Sequence, residues 1–86
     1  MMVKFKSIPA MFVKEKDGRK PNTLRKIDMK DKRFHKLLSQ IVNFIEIENS
    51  ETGEIFQRAI TDVTAWDDWM IISWYHSISE KGVKKK

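Results

Sequence analysis

Four β-rich runs fill residues 41–76 with almost no helix signal between them, and that half of the sequence limits what the rest can pack against. "IVNFIEIE" and "EIFQRAI" are separated by "NSETG", a loop rich in Asn, Ser and Gly of the kind that closes a hairpin. "DVTAW" and "WMIISWYH" flank "DD", which closes a second hairpin or bends the chain. The reading is a meander of three or four strands. A meander leaves strand edges exposed, and a chain of 86 residues can build one core but not two. The first forty residues must therefore complete the sheet and cover it.

That first half alternates strand and helix signals. "VKFKSI" places Val3 and Phe5 on one face and Lys4 and Lys6 on the other, as in a half-buried strand. "PAMFVKEKDG" is a short helix, with Pro9 suited to its first turn and Gly18 placed to stop it in a left-handed conformation. "KPNTLRKI" reads as extended, because Pro21 disfavours helix before it and Thr23, Leu24 and Ile27 suit a strand. "DMKDKRFHKLLSQ" opens on an Asp start signal and puts Phe34, Leu37 and Leu38 on one helical face. The order β-α-β-α-β-β-β predicts an α+β fold: a small mixed β-barrel of five or six strands, closed or nearly closed, with two short helices. Residues 1–80 form this single domain, and "KGVKKK" over 81–86 is a basic disordered tail.

Several function classes drop out. The chain has no cysteine, so neither a disulfide framework nor a thiolate metal site is available, and His35 and His76 are isolated. No metal and no cofactor is expected. The longest apolar stretch, "WMIISWY", is far short of a membrane span, and the amino terminus lacks a signal-peptide layout, so a cytoplasmic protein without membrane contact is expected. A zinc pattern, a Gly-rich nucleotide loop and a Ser-His-Asp set are all missing as motifs.

The net charge of +5 conceals a division. Residues 1–40 carry twelve Lys or Arg against four acids, a balance of +8, whereas residues 41–80 carry Arg58 alone against eight acids, a balance of −7. Folded together, the halves either attract each other or leave one basic face suited to a polyanion.

The densest cationic segment is "DGRKPNTLRK", residues 17–26. Arg19, Lys20, Asn22, Thr23 and Arg25 are the ligand candidates there. On a strand Thr23 and Arg25 share one face; with Leu24 packed inward, they aim at the barrel mouth or the open surface. Arg25 can fork two hydrogen bonds to a phosphate or a base edge, Thr23 can donate and accept, and Lys20 adds a point charge. The alternative is that Arg25 pairs with an acid of the second half, Glu46, Glu48 or Asp62. Lys26, Lys30, Lys32 and Arg33 are the phosphate-contacting candidates, with Lys14, Lys16 and Lys36 continuing the stripe or forming a solvated helix face. Two or more of the three Trp residues are expected in the core. Trp74 lies in the most apolar run, whereas Trp66 and Trp69 flank "DD" and are the candidates for lining a pocket or stacking on bases.

Gly18, Lys20, Thr23 and Arg25 follow, in order and spacing, the pattern G-x-K-x-x-E/T-x-R. With a helix before it and an aromatic-rich strand at the end, the chain resembles the ASCH domains of the PUA-like superfamily. It is most similar to compact members such as the bacterial N4-acetylcytidine amidohydrolase and short proteins of phage and prophage genomes. Residues 9–27 resemble the family by motif and residues 41–76 by strand pattern. Many relatives have Glu where this chain has Thr23, and the segment that supplies the amidohydrolase carboxylate has no clear counterpart. The resemblance implies a module that binds RNA or a nucleotide-like ligand through Lys20, Thr23 and Arg25. It also implies an alternative, hydrolysis of an acylated nucleoside with Thr23 as nucleophile and Lys20 as base; a third reading takes the opposite-signed surfaces and the Trp66–Trp69 loop as a module that docks on a host protein.

Overall fold

The computed structural model describes residues 1–76; the basic tail expected over 81–86, and the last residues of the domain assigned to 1–80, lie outside the described residues. The elements follow the expected order: β1 (Met2–Ser7), α1 (Pro9–Lys16), β2 (Asn22–Lys26), α2 (Lys32–Leu38), β3 (Phe44–Asn49), β4 (Ile55–Trp66) and β5 (Trp69–Trp74). The five strands line up as β1-β3-β4-β5-β2 and curl into a half-barrel. Only β1 and β3 run parallel; the other neighbours are antiparallel.

The curl starts in β4. Its first part pairs with β3 and its second with β5, and the register slips by one residue between Ile60 and Asp62. That β-bulge bends the strand and exchanges its faces: Phe56 and Arg58 point inward before it, and Val63 packs on the core after it. "EIFQRAI" and "DVTAW", read as two runs, are thus one strand of 12 residues. No breaker separates them, so the chain corners without a turn.

Local chemistry explains the remaining boundaries. Gly18 follows α1 at φ +92°, the left-handed stop that its position called for. Asp31 caps α2 by accepting from the Arg33 amide. Asn49 Oδ1 accepts from the amides of Glu51 and Thr52, which shapes the loop between β3 and β4. Asp67, at φ +57°, turns β4 into β5 within two residues.

The core is a single cluster. Val3 and Phe5 of β1, Phe12 of α1, Phe34 and Leu37 of α2, Ile45 and Ile47 of β3, Phe56 of β4, and Met70, Ile72 and Trp74 of β5 are all buried in it. Trp74 is the one buried Trp; Trp66 and Trp69 are 70% and 39% exposed, which corrects the expectation of two or more in the core. Both stand on the outer face, because they pair with each other across the hairpin and alternate with the inward Met70.

β1 and β2 are the two ends of the strand order, and the half-barrel stays open between them. Side chains bridge this seam. Arg25 on β2 donates to the Lys6 carbonyl at 2.8 Å and to Ser7 Oγ at 2.9 Å, both on β1. Arg33 on α2 donates to the Lys4 carbonyl at 2.6 Å. Alternate carbonyls of an edge strand are thereby covered by arginines, a way of blunting an edge without a further strand.

Candidate functional site

β2 presents its faces the opposite way from the expectation. Thr23 is buried and Arg25 half-buried on the inner side, while Leu24 is 52% exposed. Pairing with β5 decides this: Thr23 stands opposite Ile72 and Arg25 opposite Met70, both core residues, and Leu24 stands opposite Ile71 on the outer side. Thr23 and Arg25 are therefore aimed into the half-barrel.

Inward they meet a cavity of about 370 Å³ lined by residues of β1, α1 and β2. Its polar wall holds Glu15, Lys20, Thr23 and Arg25, and its apolar rim holds Ile8, Met11 and Leu24. The loop after α1 builds it. The Lys20 amide donates back to the Lys14 carbonyl at 3.0 Å, which folds the loop over the helix end. Lys20 Nζ then lies 2.8 Å from the Asn22 carbonyl and 3.7 Å from Glu15 Oε2.

Glu15 is the residue that sequence reasoning missed. Only 1% of it is exposed, Lys20 is its ion-pair partner, and its Oε1 has no hydrogen-bond partner. A carboxylate this deep costs several kcal/mol of desolvation unless its oxygens are satisfied, on the order that applies to buried ions. Buried polar atoms without partners are few in native proteins, and Glu15 is among the residues that line the cavity beside the Lys20 cation. The local signal was faint: Glu15 lies three residues after the buried Phe12, on the same helical stripe.

Arg25 is committed to the seam. Besides Lys6 and Ser7, it donates through Nε to Thr23 Oγ1 at 3.0 Å and lies 4.9 Å over the Phe5 ring. None of Glu46, Glu48 or Asp62 pairs with it, so neither a free guanidinium nor a partner acid from the second half describes it. Burial lowers its pKa, the nearby Glu15 charge acts to raise it, and Arg33 lowers it further. Thr23 accepts from Arg25 and retains its own hydroxyl proton for a donor role.

The other candidates lie apart from this cavity. Arg19 is exposed and holds Asp17, whose carboxyl it keeps below its ordinary value. Asn22 enters through its main chain, as the carbonyl that receives Lys20. Lys26 lies over the Trp69 ring at 5.9 Å on the outer face, next to Trp66. Lys30 and Lys32 are exposed, and Arg33 is bound by Asp31 and the Lys4 carbonyl. Neither Trp66 nor Trp69 lines the Glu15 cavity, and Asp67 and Asp68 lie between them, so their surroundings carry negative charge.

Of the four ion pairs among the described residues, Lys16–Glu54 alone joins the basic half to the acidic half. Attraction between the halves therefore leaves most cations in water. Among the described residues, no three of His, Cys, Asp or Glu gather to hold a metal ion, and no helix is long and apolar enough to cross a membrane. The chain matches no family model, no curated protein and no solved structure.

Proposed function

We propose that the chain is a PUA-like module that binds a nucleotide-like ligand, free or as one unit of an RNA, in the cavity between α1, β1 and β2. One observation carries this reading. Lys20, Thr23 and the fully buried Glu15 line a single cavity, and one oxygen of Glu15 is without a hydrogen-bond partner. Donors from Lys20 and Thr23 beside an acceptor on Glu15 complement two acceptors next to an N–H donor, as O2, N3 and the N4 amino group stand on the pairing edge of cytosine. A volume of about 370 Å³ is at the small end of ligand sites, and the Ile8, Met11 and Leu24 rim offers apolar cover for a ring. The match of Gly18, Lys20, Thr23 and Arg25 to the ASCH pattern supports the same reading from the sequence.

Titration with a panel of nucleosides, followed by calorimetry or amide chemical shifts, tests it. Binding should be weakened at least tenfold, about 1.4 kcal/mol, by Glu15→Gln and by Lys20→Ala. Because Glu15→Gln also breaks the ion pair to Lys20, a thermal melt accompanies the titration and establishes that the variant is folded. A folded Glu15→Gln variant with unchanged affinity would overturn the assignment.

A second reading is favoured by the same carboxylate. Thr23, Lys20 and Glu15 in one cavity are the residue types for acyl transfer from an acylated nucleoside, with the Thr23 hydroxyl as nucleophile. Lys20 Nζ is hydrogen-bonded to the Asn22 carbonyl and not to Thr23, so a proton would leave Thr23 only after a ligand displaces that contact. Deacylation of an N-acylated nucleoside that disappears in both Thr23→Ala and Lys20→Ala supports catalysis; no product across a panel of such substrates argues for binding alone.

A further inference from the structure

Arg25 lines two cavities. The second, of about 520 Å³, lies along the seam and is lined by Lys4, Phe5, Lys6, Arg25, Arg33 and Glu48. Four cationic residues and one acidic residue thus line it. The fold forces them together: Lys4 and Lys6 alternate with the buried Val3 and Phe5 on β1, while Arg33 and Arg25 are drawn to the Lys4 and Lys6 carbonyls. Both guanidinium groups lie over the same Phe5 ring, at 4.2 and 4.9 Å.

The charge balance around them is uneven. Asp31 neutralises Arg33 through Nε and Nη2. Arg25 has no carboxylate in hydrogen-bond contact; its acceptors are the Lys6 carbonyl, Ser7 and Thr23. Burial lowers its pKa, the Glu15 charge acts to raise it, and Arg33 lowers it further. In the β1–β3 register Glu46 stands beside Lys4, with Oε1 accepting from Gln57 Nε2, and Glu48 stands beside Lys6. Each guanidinium has five N–H donors, of which three are engaged, so two on each arginine remain for a ligand.

We infer that the seam cavity is a phosphate site, in which the ammonium groups of Lys4 and Lys6 and the remaining N–H groups of Arg25 and Arg33 hold a phosphate ester. A phosphate presents several oxygens and can meet two ammonium groups and a guanidinium edge together, which a two-oxygen carboxylate does less well. The site goes beyond the reading of the Glu15 cavity and does not depend on it. Where both hold, Arg25 and Lys6 are the shared wall, and the ligand is a nucleotide with its base toward Glu15 and its phosphate toward Lys4 and Lys6.

The test compares the wild type with the double variant Lys4→Ala, Lys6→Ala, whose removed side chains are exposed and make no hydrogen bond that holds the fold. Four probes are titrated and followed by amide chemical shifts: inorganic phosphate, cytidine, cytidine 5′-monophosphate and a single-stranded RNA hexamer. Inorganic phosphate should move the amides of residues 4–6 and 33 and lose most of this effect in the double variant. The monophosphate should bind the wild type about tenfold more tightly than cytidine, and the double variant should bind both alike. If the wild type binds cytidine and the monophosphate alike and the hexamer loses affinity in the variant, the phosphate belongs to an RNA backbone; if the wild type prefers the monophosphate and the variant does not, a free nucleotide suffices. Both results support the site. If neither cytidine nor the monophosphate binds while inorganic phosphate still acts through Lys4 and Lys6, the seam site stands and the Glu15 reading fails. Unchanged phosphate shifts in the double variant, or an unchanged preference for the monophosphate, would overturn the site.

Discussion

Replacing Arg25 by Ala tests what holds the half-barrel across its open side. The substitution removes hydrogen bonds to the Lys6 carbonyl, Ser7 Oγ and Thr23 Oγ1, at 2.8, 2.9 and 3.0 Å, together with the contact over Phe5. At about 1 kcal/mol net for each bond and roughly 0.5–1 kcal/mol for the cation–π contact, the loss is about 3–4 kcal/mol. A small domain has roughly 5–15 kcal/mol in total and shifts its Tm by about 4–8 °C per kcal/mol, so Tm should fall by at least about 12 °C. Arg25→Lys supplies one ammonium in place of three directed donors and should lose about half as much. Arg25→Met keeps the apolar stem and should resemble Ala, since the donors carry the effect. Thermal melts by circular dichroism read all three, and amide exchange should quicken first along β1 and β2. An Ala variant melting within about 3 °C of the wild type would refute the rivet, and any loss of ligand binding in it would then be a property of the site alone.

Further outcomes follow from the same structure. Gly18→Ala places a Cβ 2.5 Å from the His76 ring at φ +92°, so it should cost at least about 1–2 kcal/mol, and adding His76→Ala should recover the steric part but not the backbone part. Two denaturation midpoints and their double-variant cycle measure this. Arg33 holds the Asp31 carboxyl below its ordinary value of 3.8, so the stability it contributes is fully present above that value and is lost as pH falls through the depressed one. Asp31→Asn should therefore flatten the acid limb of a stability–pH curve below about pH 4; an unchanged limb would show that this pair does not contribute to it. Trp74→Ala should cost about 3–5 kcal/mol, whereas Trp66→Ala should stay within about 0.5 kcal/mol and remove most of the acrylamide-quenchable fluorescence.

How much of this was readable in the residues differs from element to element. The order of strands and helices followed from local chemistry: alternation in "VKFKSI", the Gly18 stop, an Asp start signal before α2 and the two loops of the second half. Each of these acts over a few positions, where periodicity and backbone preference are decisive. β4 was less legible, because a bulge leaves no breaker in the sequence and one strand reads as two. The direction of β2 was misread, since "TLR" offers a β-branched polar residue and a Leu on opposite faces and either can go inward. The Ile72 and Met70 partners on β5, nearly fifty positions away, settle which one does.

The sequence by itself determined the kinds of element, their order and stops, and the spacing of Lys20, Thr23 and Arg25 from a loop into one strand. The tertiary structure alone decided what these residues touch. Glu15 became a buried, unpaired acceptor only when the Lys20 loop folded over the end of α1, and Arg25 became a rivet only when β1 and β2 were left facing each other across an open seam. Burial and hydrogen-bond partnership are set by groups 18 and 19 positions away in the chain, as for Ser7 and Lys6 with Arg25, and local pattern carries no record of them.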